Sequence, residues 1–203
     1  MPVSRRHTYD CVVTWTGNRG TGTSSYRGYD RAHDVAGDAL PTIPGSADPA
    51  FRGDPARWNP EQLLVAALSQ CHMLWYLHLA AEAGVVVTGY VDRATGTMLE
   101  DSDPSGQFVE VVLRPAVVVS QPAMAELARK LHDRAGARCY IARSVNFPVR
   151  HEPAVAVAGH DGTATGGTAI GGTAIGGTAG SGTAAATAPP TWPGDNAPAS
   201  GRT

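Results

Sequence analysis

The alternation of apolar and polar residues predicts a folded region of about 150 residues that contains both strands and helices. Apolar and polar side chains alternate from Tyr9 to Trp15, a period of two that is typical of a strand with one apolar face. We expect Cys11 to pack on that face. A glycine-containing turn at 17–20 follows, and residues 22–29 are predicted to return as a partner strand.

A long helix is predicted from about Pro60 to Ala83. Asn59 is a suitable N-cap, Pro60 fits the first helical position, and Gly84 is a natural stop. The apolar stripe of this helix consists of Leu64, Leu68, Cys71, Trp75 and Leu79, at spacings of three and four. The cysteine therefore faces a core. The helix is apolar on most sides, which indicates that other elements cover it.

Further strands and a second helix complete the predicted domain. The strands are expected over 85–90, 94–100, 108–119 and 145–149. Pro115, inside the third of these, indicates an edge or a bulge. The second helix opens near Pro122, and Gly136 should end it. The order strands, helix, strands, helix, strand predicts an α+β fold with sheet wrapped about one or two central helices.

Two segments contain little regular pattern. Residues 37–58 are rich in glycine, proline and aspartate, and they form either a lid or binding loop or a packed surface crossover. From residue 153 onward the chain is mostly glycine, threonine and alanine, with a degenerate five-residue repeat. Such residues bury too little area to offset the entropy of ordering the backbone. We therefore predict a folded domain over 1–152 and a disordered tail over 153–203.

Charge and composition exclude several functional classes. The net charge of −2 makes nucleic acid and anionic membranes unexpected partners. There is no run of eighteen apolar residues, and no apolar block follows the N-terminal arginine pair, so neither a membrane span nor an export signal is expected. Three cysteines, an odd number, argue against a secreted disulfide framework. These features favour a reducing cytoplasm.

Two cysteines on separate elements, Cys71 and Cys139, are candidates for thiol chemistry. A thiolate is the nucleophilic form, and burial opposes it, so a cation must compensate. Arg19, in the glycine turn after the first strand, is the best-placed candidate. An arginine in a buried site requires a carboxylate partner, and Glu61 is the natural one.

The spacing of Glu61 and Cys71 constrains how they could share a site. They are ten residues apart, so one continuous helix separates them by about 15 Å along its axis. Glu61 therefore cannot approach the cysteine of its own chain. This favours a homodimer whose sites combine residues of both chains. Arg27 and Arg31 are alternatives to Arg19 as the cation of that site.

Other chemical constellations are weaker. The histidines at 72, 78 and 132, with Cys139, lack the spacings of a zinc site, so no metal is expected. There is no G-x-S-x-G elbow for a serine hydrolase. No glycine-rich fingerprint for a dinucleotide or a phosphate loop is present either.

Three motifs resemble the OsmC/Ohr family of thiol-dependent organic hydroperoxide reductases and osmotically inducible proteins. They are Asn59-Pro-Glu-Gln-Leu-Leu64 with Cys71, Cys139 before Tyr-Ile-Ala-Arg-Ser-Val, and the opening Trp15-Thr-Gly-Asn-Arg-Gly-Thr-Gly-Thr. The resemblance covers about residues 7–152. It implies an OsmC-like fold, with antiparallel sheets wrapped around central helices in an intertwined homodimer.

The same resemblance implies a peroxidase that works without haem, metal or another bound cofactor. Cys71 would reduce an organic hydroperoxide to an alcohol and become a sulfenic acid. Cys139 would resolve it as a Cys71–Cys139 disulfide, which an external thiol or a dithiol such as a lipoyl group then reduces. Arg19 and Glu61 match the family's paired charges. Apolar inner faces favour bulky organic hydroperoxides over hydrogen peroxide.

The chain also departs from the family pattern. Tyr140 stands where members often have proline, and 136–138 lack the histidine that many members carry. Both changes bear on the resolving step and on the preferred reductant. Two alternatives use the same fold: a non-catalytic thiol redox sensor or apolar-ligand-binding module, and a structural dimer in which both cysteines are core residues. Catalytic turnover separates them, because a sensor oxidises once and a peroxidase cycles.

Overall fold

The computed structural model describes residues 5–103 and 105–159. The predicted tail from residue 160 onward lies outside the described residues. Two α-helices and nine strands are found within the described ranges. The helices are α1 (Pro60–Glu82) and α2 (Ala125–Arg138). The strands are β1 (Val12–Trp15), β2 (His33–Ala36), β3 (Ile43–Gly45), β4 (Val87–Asp92), β5 (Thr95–Glu100), β6 (Gly106–Leu113), β7 (Pro115–Val119), β8 (Val149–His151) and β9 (Ala154–Val157).

The strands form three sheets of three, and the α+β prediction is confirmed. Their orders are β1-β2-β3, β4-β7-β9 and β5-β6-β8. Most neighbouring strands are antiparallel, as expected, but β6 with β8 and β7 with β9 are parallel pairs. The main core lies between α1, α2 and the β4-β7-β9 sheet. A second core beneath the β5-β6-β8 sheet surrounds Leu68, Val111 and Leu113.

Helix α1 begins and ends close to the predicted residues. The Asn59 side chain accepts from the backbone N–H of Gln62 at 2.7 Å, and the Gln62 side chain accepts from the backbone N–H of Asn59 at 3.2 Å. This reciprocal capping box satisfies donors that the first turn otherwise leaves unpaired. Gly84 follows the helix with a φ of 70°, a conformation that glycine adopts without strain. Because the capping box sets the first residue of α1, it also sets the face of the helix on which Cys71 lies.

Helix α1 also has the length and apolar composition of a membrane-spanning helix. The core helix of a soluble protein meets the same criterion. Its buried residues are Leu68, His72, Tyr76, Leu79 and Ala80. Most of them pack in the core with α2 and the β4-β7-β9 sheet, which is the environment of a core helix.

The strand predicted over 108–119 is two strands in different sheets, so that prediction is wrong. Arg114 separates β6 from β7, and its backbone N–H donates to the Asp92 carboxylate at 2.6 Å. Pro115 lacks an N–H and begins β7, opposite Asp92. The chain therefore bends at this point, and β6 and β7 enter separate sheets. Pro115 marks this division rather than an edge or a bulge.

The N-terminal sheet differs from the prediction in two respects. The strand that pairs with β1 is β2, whereas 22–29 contains turns. The Asn18 side chain accepts from the backbone N–H groups of Gly20 and Gly22, and Gly22 has a φ of 57°, so the chain turns there. Cys11 is exposed, which contradicts the packing role predicted for it. All four residues of β1 are exposed in the single chain, so this strand has no buried face for Cys11 to join.

The long segment at 37–58 is mostly exposed in the single chain. It contains β3 and a short 3-10 turn at Pro49–Phe51. Asp48 caps that turn and accepts from the Asn59 amide Nδ2 at 3.2 Å. Because Asp48 and Trp58 line a cleft, a binding loop and a surface crossover both stay predictions for this segment.

Gly136 does not end the second helix, contrary to the prediction. Helix α2 continues to Arg138, with Cys139 as its C-cap. A Cβ at Gly136 would lie 3.4 Å from the ring of His151. This is an ordinary van der Waals separation, so α2 packs beside β8 here, a tertiary feature that the local sequence does not reveal.

The folded domain extends past residue 152. Strand β9 pairs in parallel with β7, and the backbone N–H of Ala158 donates to the carbonyl of Val119 at 2.8 Å. The boundary predicted at 152 is therefore too early. The Ala-Val-Ala-Val sequence of β9 is short and adjoins a segment of similar small residues, so its apolar alternation gives a weak signal.

Two buried histidines lie in the core between the helices. His72 Nε2 and His132 Nδ1 are 3.0 Å apart, and the His132 ring stacks on Tyr76 with centroids 4.0 Å apart. Burial lowers the pKa of His72 to about 4, with a smaller contribution from His151. Burial, followed by the proximity of His72, lowers the pKa of His132 to about 3. Both rings are therefore neutral at pH 7.

We expect stability to fall as the pH drops from about 6.5 towards 4. An unfolded chain binds protons on both histidines in this window, whereas the folded chain does not, so protonation favours unfolding. The free energy of unfolding, measured by urea denaturation, should decrease by about 2 kcal/mol or more between pH 7 and pH 4.5. His132→Gln should flatten this dependence, and the exposed control His78→Gln should not. Equal slopes in wild type and His132→Gln would contradict the prediction.

Candidate active site

The two cysteines singled out by the sequence meet in the structure. Cys71 is half-buried in the middle of α1, and Cys139 is buried at the end of α2. Their thiols are in hydrogen-bond contact, although 68 residues separate them in the chain. The backbone N–H of Ala142 also donates to Cys139 Sγ at 3.4 Å. Both cysteines are free thiols, so the pair is in its reduced form.

The protonation state of Cys139 follows from its surroundings. Burial raises the pKa of this thiol to about 11, and its hydrogen bond with Cys71 acts in the same direction. The backbone N–H of Ala142 opposes the shift to a smaller extent. Cys139 is therefore a protonated thiol at neutral pH, and a base must remove its proton before it can act as a nucleophile.

An open apolar cleft of about 710 Å³ lies over Cys71. The Trp75 ring meets the edge of Tyr140 with centroids 5.6 Å apart, so residues from α1 and from the segment after Cys139 form one wall. The other lining residues are Tyr9, Ala67, Gln70, Leu74, His78 and Ile141. The sequence placed Trp75 on the core stripe of α1, but its role as a wall beside the thiol depends on tertiary packing. The cleft could hold an apolar molecule next to Cys71.

Arg19 lies apart from the thiols in the single chain. It forms a two-pronged ion pair with Asp30, with Arg19 Nε donating to Asp30 Oδ2 at 2.7 Å. Both side chains are solvent-exposed. The hydrogen bond with Asp30 raises the pKa of Arg19, and the same bond lowers the pKa of Asp30. In the single chain, Asp30 rather than the predicted Glu61 is therefore the carboxylate partner of Arg19.

The other candidate cations have different surroundings. Arg27 is exposed. Arg31 lies over the rings of Tyr26 and Tyr29, 4.4 Å and 4.3 Å from their centroids. A further cation, not considered from the sequence, is Arg138, whose guanidinium lies 5.8 Å from the Trp75 ring centroid beside the cleft. Arg138 directly precedes Cys139 in the sequence, and this position could have indicated a cation near the thiols.

Glu61 lines a second cleft, of about 780 Å³, that does not contain Cys71. One Glu61 oxygen, Oε2, is buried and has no hydrogen-bond partner among the described residues, and the same holds for the hydroxyl of Tyr90. In this cleft the Ser69 hydroxyl donates to Asp92 at 2.5 Å, and burial raises the pKa of that carboxyl. The single chain thus brings Cys71 and Cys139 together and leaves Arg19 and Glu61 elsewhere.

The histidines were considered from the sequence only as metal ligands. Within 5–103 and 105–159, no group of three or more histidine, cysteine, aspartate or glutamate side chains is arranged to hold a metal ion. Instead, His72 and His132 are hydrogen-bonded to each other, and the His151 ring lies 5.5 Å from His72. Their clustering depends on the packing of three elements, which sequence spacing does not reveal.

Comparison with protein families identifies relatives of this chain. The model of the family described as OsmC-like protein matches residues 53–153. An OsmC-like protein of unknown function from Vibrio cholerae has a similar structure, with a TM-score of 0.65 and 34% sequence identity. The match covers 73% of this chain and 99% of that protein. No curated protein matches the chain.

More distant solved structures share the fold alone. An organic hydroperoxide resistance protein from Elizabethkingia anophelis is 15% identical, with a TM-score of 0.56, over 76% of this chain and 99% of that one. An organic hydroperoxide resistance protein, OsmC, from Legionella pneumophila is 14% identical, with a TM-score of 0.53, over 76% of this chain and 100% of its own. With the family match and the relative at 34% identity, the chain belongs to the OsmC-like protein family.

Proposed function

We propose that this protein is a cysteine-based peroxidase that reduces organic hydroperoxides to alcohols. The observation that carries the proposal is the contact between Cys71 and Cys139 beneath an apolar cleft. Two thiols in contact can form a disulfide with little movement of the chain. The distant structural neighbours from Elizabethkingia anophelis and Legionella pneumophila are described as organic hydroperoxide resistance proteins, which agrees with this chemistry.

The proposed reaction uses both thiols in turn. The Cys71 thiolate attacks the distal oxygen of the hydroperoxide, so an S–O bond forms and the O–O bond breaks. The alkoxide takes up a proton and leaves as the alcohol, and Cys71 becomes a sulfenic acid. Cys139 then attacks Cys71 Sγ, and a disulfide and water are formed. An external dithiol, such as a lipoyl group, supplies two electrons to restore both thiols. No bound cofactor takes part.

The walls of the cleft favour a substrate with a bulky apolar group. Leu74, Trp75 and Ile141 provide apolar surface next to Cys71, whereas Gln70 and His78 are the polar side chains there. An alkyl or aryl group would remove this surface from water, and hydrogen peroxide would not.

We propose that a homodimer completes the site with Arg19 and Glu61. The buried Oε2 of Glu61 has no partner among the described residues, which is costly unless another group reaches it. Strand β1 exposes Val12, Val13 and Trp15, apolar area that a second subunit could cover. To reach this site, Arg19 would have to break its ion pair with Asp30. We place the enzyme in the cytoplasm, where thiols remain reduced.

A second candidate function is a thiol redox sensor or apolar-ligand-binding module. The observation that favours it is the position of Arg19, which is paired with Asp30 away from Cys71. Without a cation, a half-buried thiol reacts slowly with peroxides. A sensor would be oxidised once, whereas an enzyme would turn over with a dithiol.

Consumption of cumene hydroperoxide in the presence of dihydrolipoamide tests the proposal. Cys71→Ser should lower steady-state turnover by roughly 1,000-fold or more, as removal of a catalytic nucleophile does. Cys139→Ser should allow one oxidation of Cys71 but little turnover with the dithiol. Cys11→Ser, which removes the exposed third thiol, is the matched control and should retain wild-type activity.

Two outcomes would contradict this prediction. Turnover that survives Cys71→Ser would show that this thiol is not the nucleophile. A wild type that forms a sulfenic acid but does not cycle with any dithiol would support the sensor instead.

Substitution of Leu74 by aspartate tests the role of the apolar wall. Leu74 is 61% exposed and lines the cleft, so a charge there should disfavour an apolar substrate without unfolding the core. We expect kcat/KM for cumene hydroperoxide to fall roughly 10-fold, and that for hydrogen peroxide to change by no more than about twofold. Leu127→Asp, at a 43% exposed leucine on α2 outside the cleft, is the control. An equal loss for both peroxides would argue against substrate contact by Leu74.

A further inference from the structure

A small, partly open cavity adjoins Cys139 and is distinct from the apolar cleft. Its volume is about 100 Å³, enough to hold water, and its walls carry polar groups. Cys139, His72, Asp133 and His151 all line it. Cys71 lines the apolar cleft instead. The thiol pair therefore separates two environments, with an apolar one at Cys71 and a polar one at Cys139.

Helix α2 presents three residues to this cavity at regular spacing. Asp133, Gly136 and Cys139 are three residues apart, so they lie along one face of the helix. His151 on β8 faces the same part of α2. Its Nε2 lies 3.0 Å from Asp133 Oδ1. Because a carboxylate only accepts, Nε2 donates the proton of this hydrogen bond, and the lone pair is left on Nδ1.

Gly136 leaves the basic edge of the imidazole open. A Cβ at this position would lie 3.5 Å from His151 Nδ1 and 3.4 Å from His151 Cε1. His151 Nδ1 therefore lies next to Gly136, which lines the same cavity as Cys139. The His151 side chain is only 24% exposed, so this edge is largely shielded from bulk solvent.

The electrostatic surroundings of His151 come from α1 and α2. Asp133 is its carboxylate partner, and the rings of His72 and His132 lie 5.5 Å and 6.4 Å away by their centroids. Both of those rings are neutral at pH 7 because burial lowers the pKa of each. Asp133, whose side chain is 84% exposed, is therefore the charged group that is hydrogen-bonded to His151.

We propose that His151 is the base that removes the proton from Cys139 during disulfide formation, through a water molecule in the cavity, and that Asp133 is its positioning residue. This inference rests on the proposed peroxidase function. The Cys139 proton passes to His151 Nδ1, Cys139 Sγ attacks Cys71 Sγ, and the S–O bond of the sulfenic acid breaks. The departing hydroxide takes up a proton and becomes water. During reduction, protonated His151 returns a proton to the Cys139 thiolate as the dithiol attacks Cys71.

Single-turnover oxidation separates this step from the one before it. Wild type and variants are mixed with one equivalent of cumene hydroperoxide. Sulfenic acid is trapped with dimedone, and disulfide formation is followed by mass spectrometry. In His151→Ala the sulfenic acid should form at the wild-type rate, while the disulfide should form roughly 100-fold more slowly. Asp133→Asn should slow the disulfide step roughly 10-fold, because the histidine loses its oriented tautomer.

The control for Asp133→Asn is Glu126→Gln. Glu126 is an exposed carboxylate on the same helix, so its removal changes the charge of α2 without changing the cavity. This variant should form the disulfide at the wild-type rate. Added imidazole should restore part of the rate in His151→Ala, because it can occupy the vacated space and accept the proton. A purely structural loss would not respond to imidazole.

Gly136→Ala keeps the inference testable if His151→Ala fails to fold. Alanine favours the helix, and its methyl group, 3.5 Å from Nδ1, would occupy space in the cavity through which the proton is proposed to pass. The disulfide step should slow, and the sulfenic acid step should not. Wild-type rates of disulfide formation in both Gly136→Ala and Asp133→Asn would overturn the inference, as would a wild-type rate in a folded His151→Ala.

A second oxidant separates failure of this inference from failure of the proposed function. If wild type forms no sulfenic acid with the hydroperoxide, the proposed function fails. The disulfide is then driven with diamide, which adds one cysteine thiolate and leaves as a hydrazine when the second thiol attacks. A slow disulfide step in His151→Ala, rescued by imidazole, would still support the base. Equal rates in wild type and His151→Ala would overturn it.

Discussion

The packing of α1 against the C-terminal part of α2 is the constraint on which the site depends. Tyr76 and Leu79 of α1 are buried in one core with Leu131 and Ala135 of α2. This packing brings Cys139, at the end of α2, against the middle of α1. Two thiols far apart in the sequence therefore meet without a disulfide to hold them. Because the contact depends on core packing, it should persist through the oxidation and reduction of the thiols.

The same packing gives each thiol a different environment. Cys71 lines an open apolar cleft, where an organic molecule can reach it. Cys139 is buried, and burial raises the pKa of its thiol to about 11. A buried thiol is protected from direct attack by peroxide, but it needs a base to become a nucleophile. The aspartate and histidine beside the small cavity are suited to supply that base. A division of roles between the two cysteines follows from this asymmetry.

The sequence predicts those parts of the structure whose signals are local. Helix α1 has a capping box and a continuous apolar pattern, so its limits could be predicted. The sequence placed Cys71 on a stripe that faces a core, whereas the structure leaves it half-buried at an open cleft. Strand β9 is different because its four residues become a strand only by pairing with β7. Gly136 is similar, since its local signal is to end a helix, but α2 continues through it to Arg138. The bend at Pro115 also arises from the separation of two sheets.

The candidate site also has a part that the sequence predicts and a part that depends on tertiary packing. The motifs around Cys71 and Cys139 identified the thiols, and the structure joins them. The ion pair of Arg19 with Asp30 could not be predicted, because it depends on how the loop after β1 folds back. The histidine cluster joins residues of α1, α2 and β8, and no spacing in the sequence relates those three elements. Arg19 and Glu61 lie apart from the thiols in the single chain, and their part in the site is what we propose a second subunit provides.

Peptide mapping by mass spectrometry after one equivalent of cumene hydroperoxide tests whether Cys71 and Cys139 act as a pair. We expect the chain to lose two hydrogen atoms and a single disulfide to link the peptide of Cys71 to that of Cys139. Cys11 should remain free, and a dithiol should reverse the change. A stable sulfinic acid at Cys71, or a disulfide that joins Cys71 to any residue other than Cys139, would contradict it.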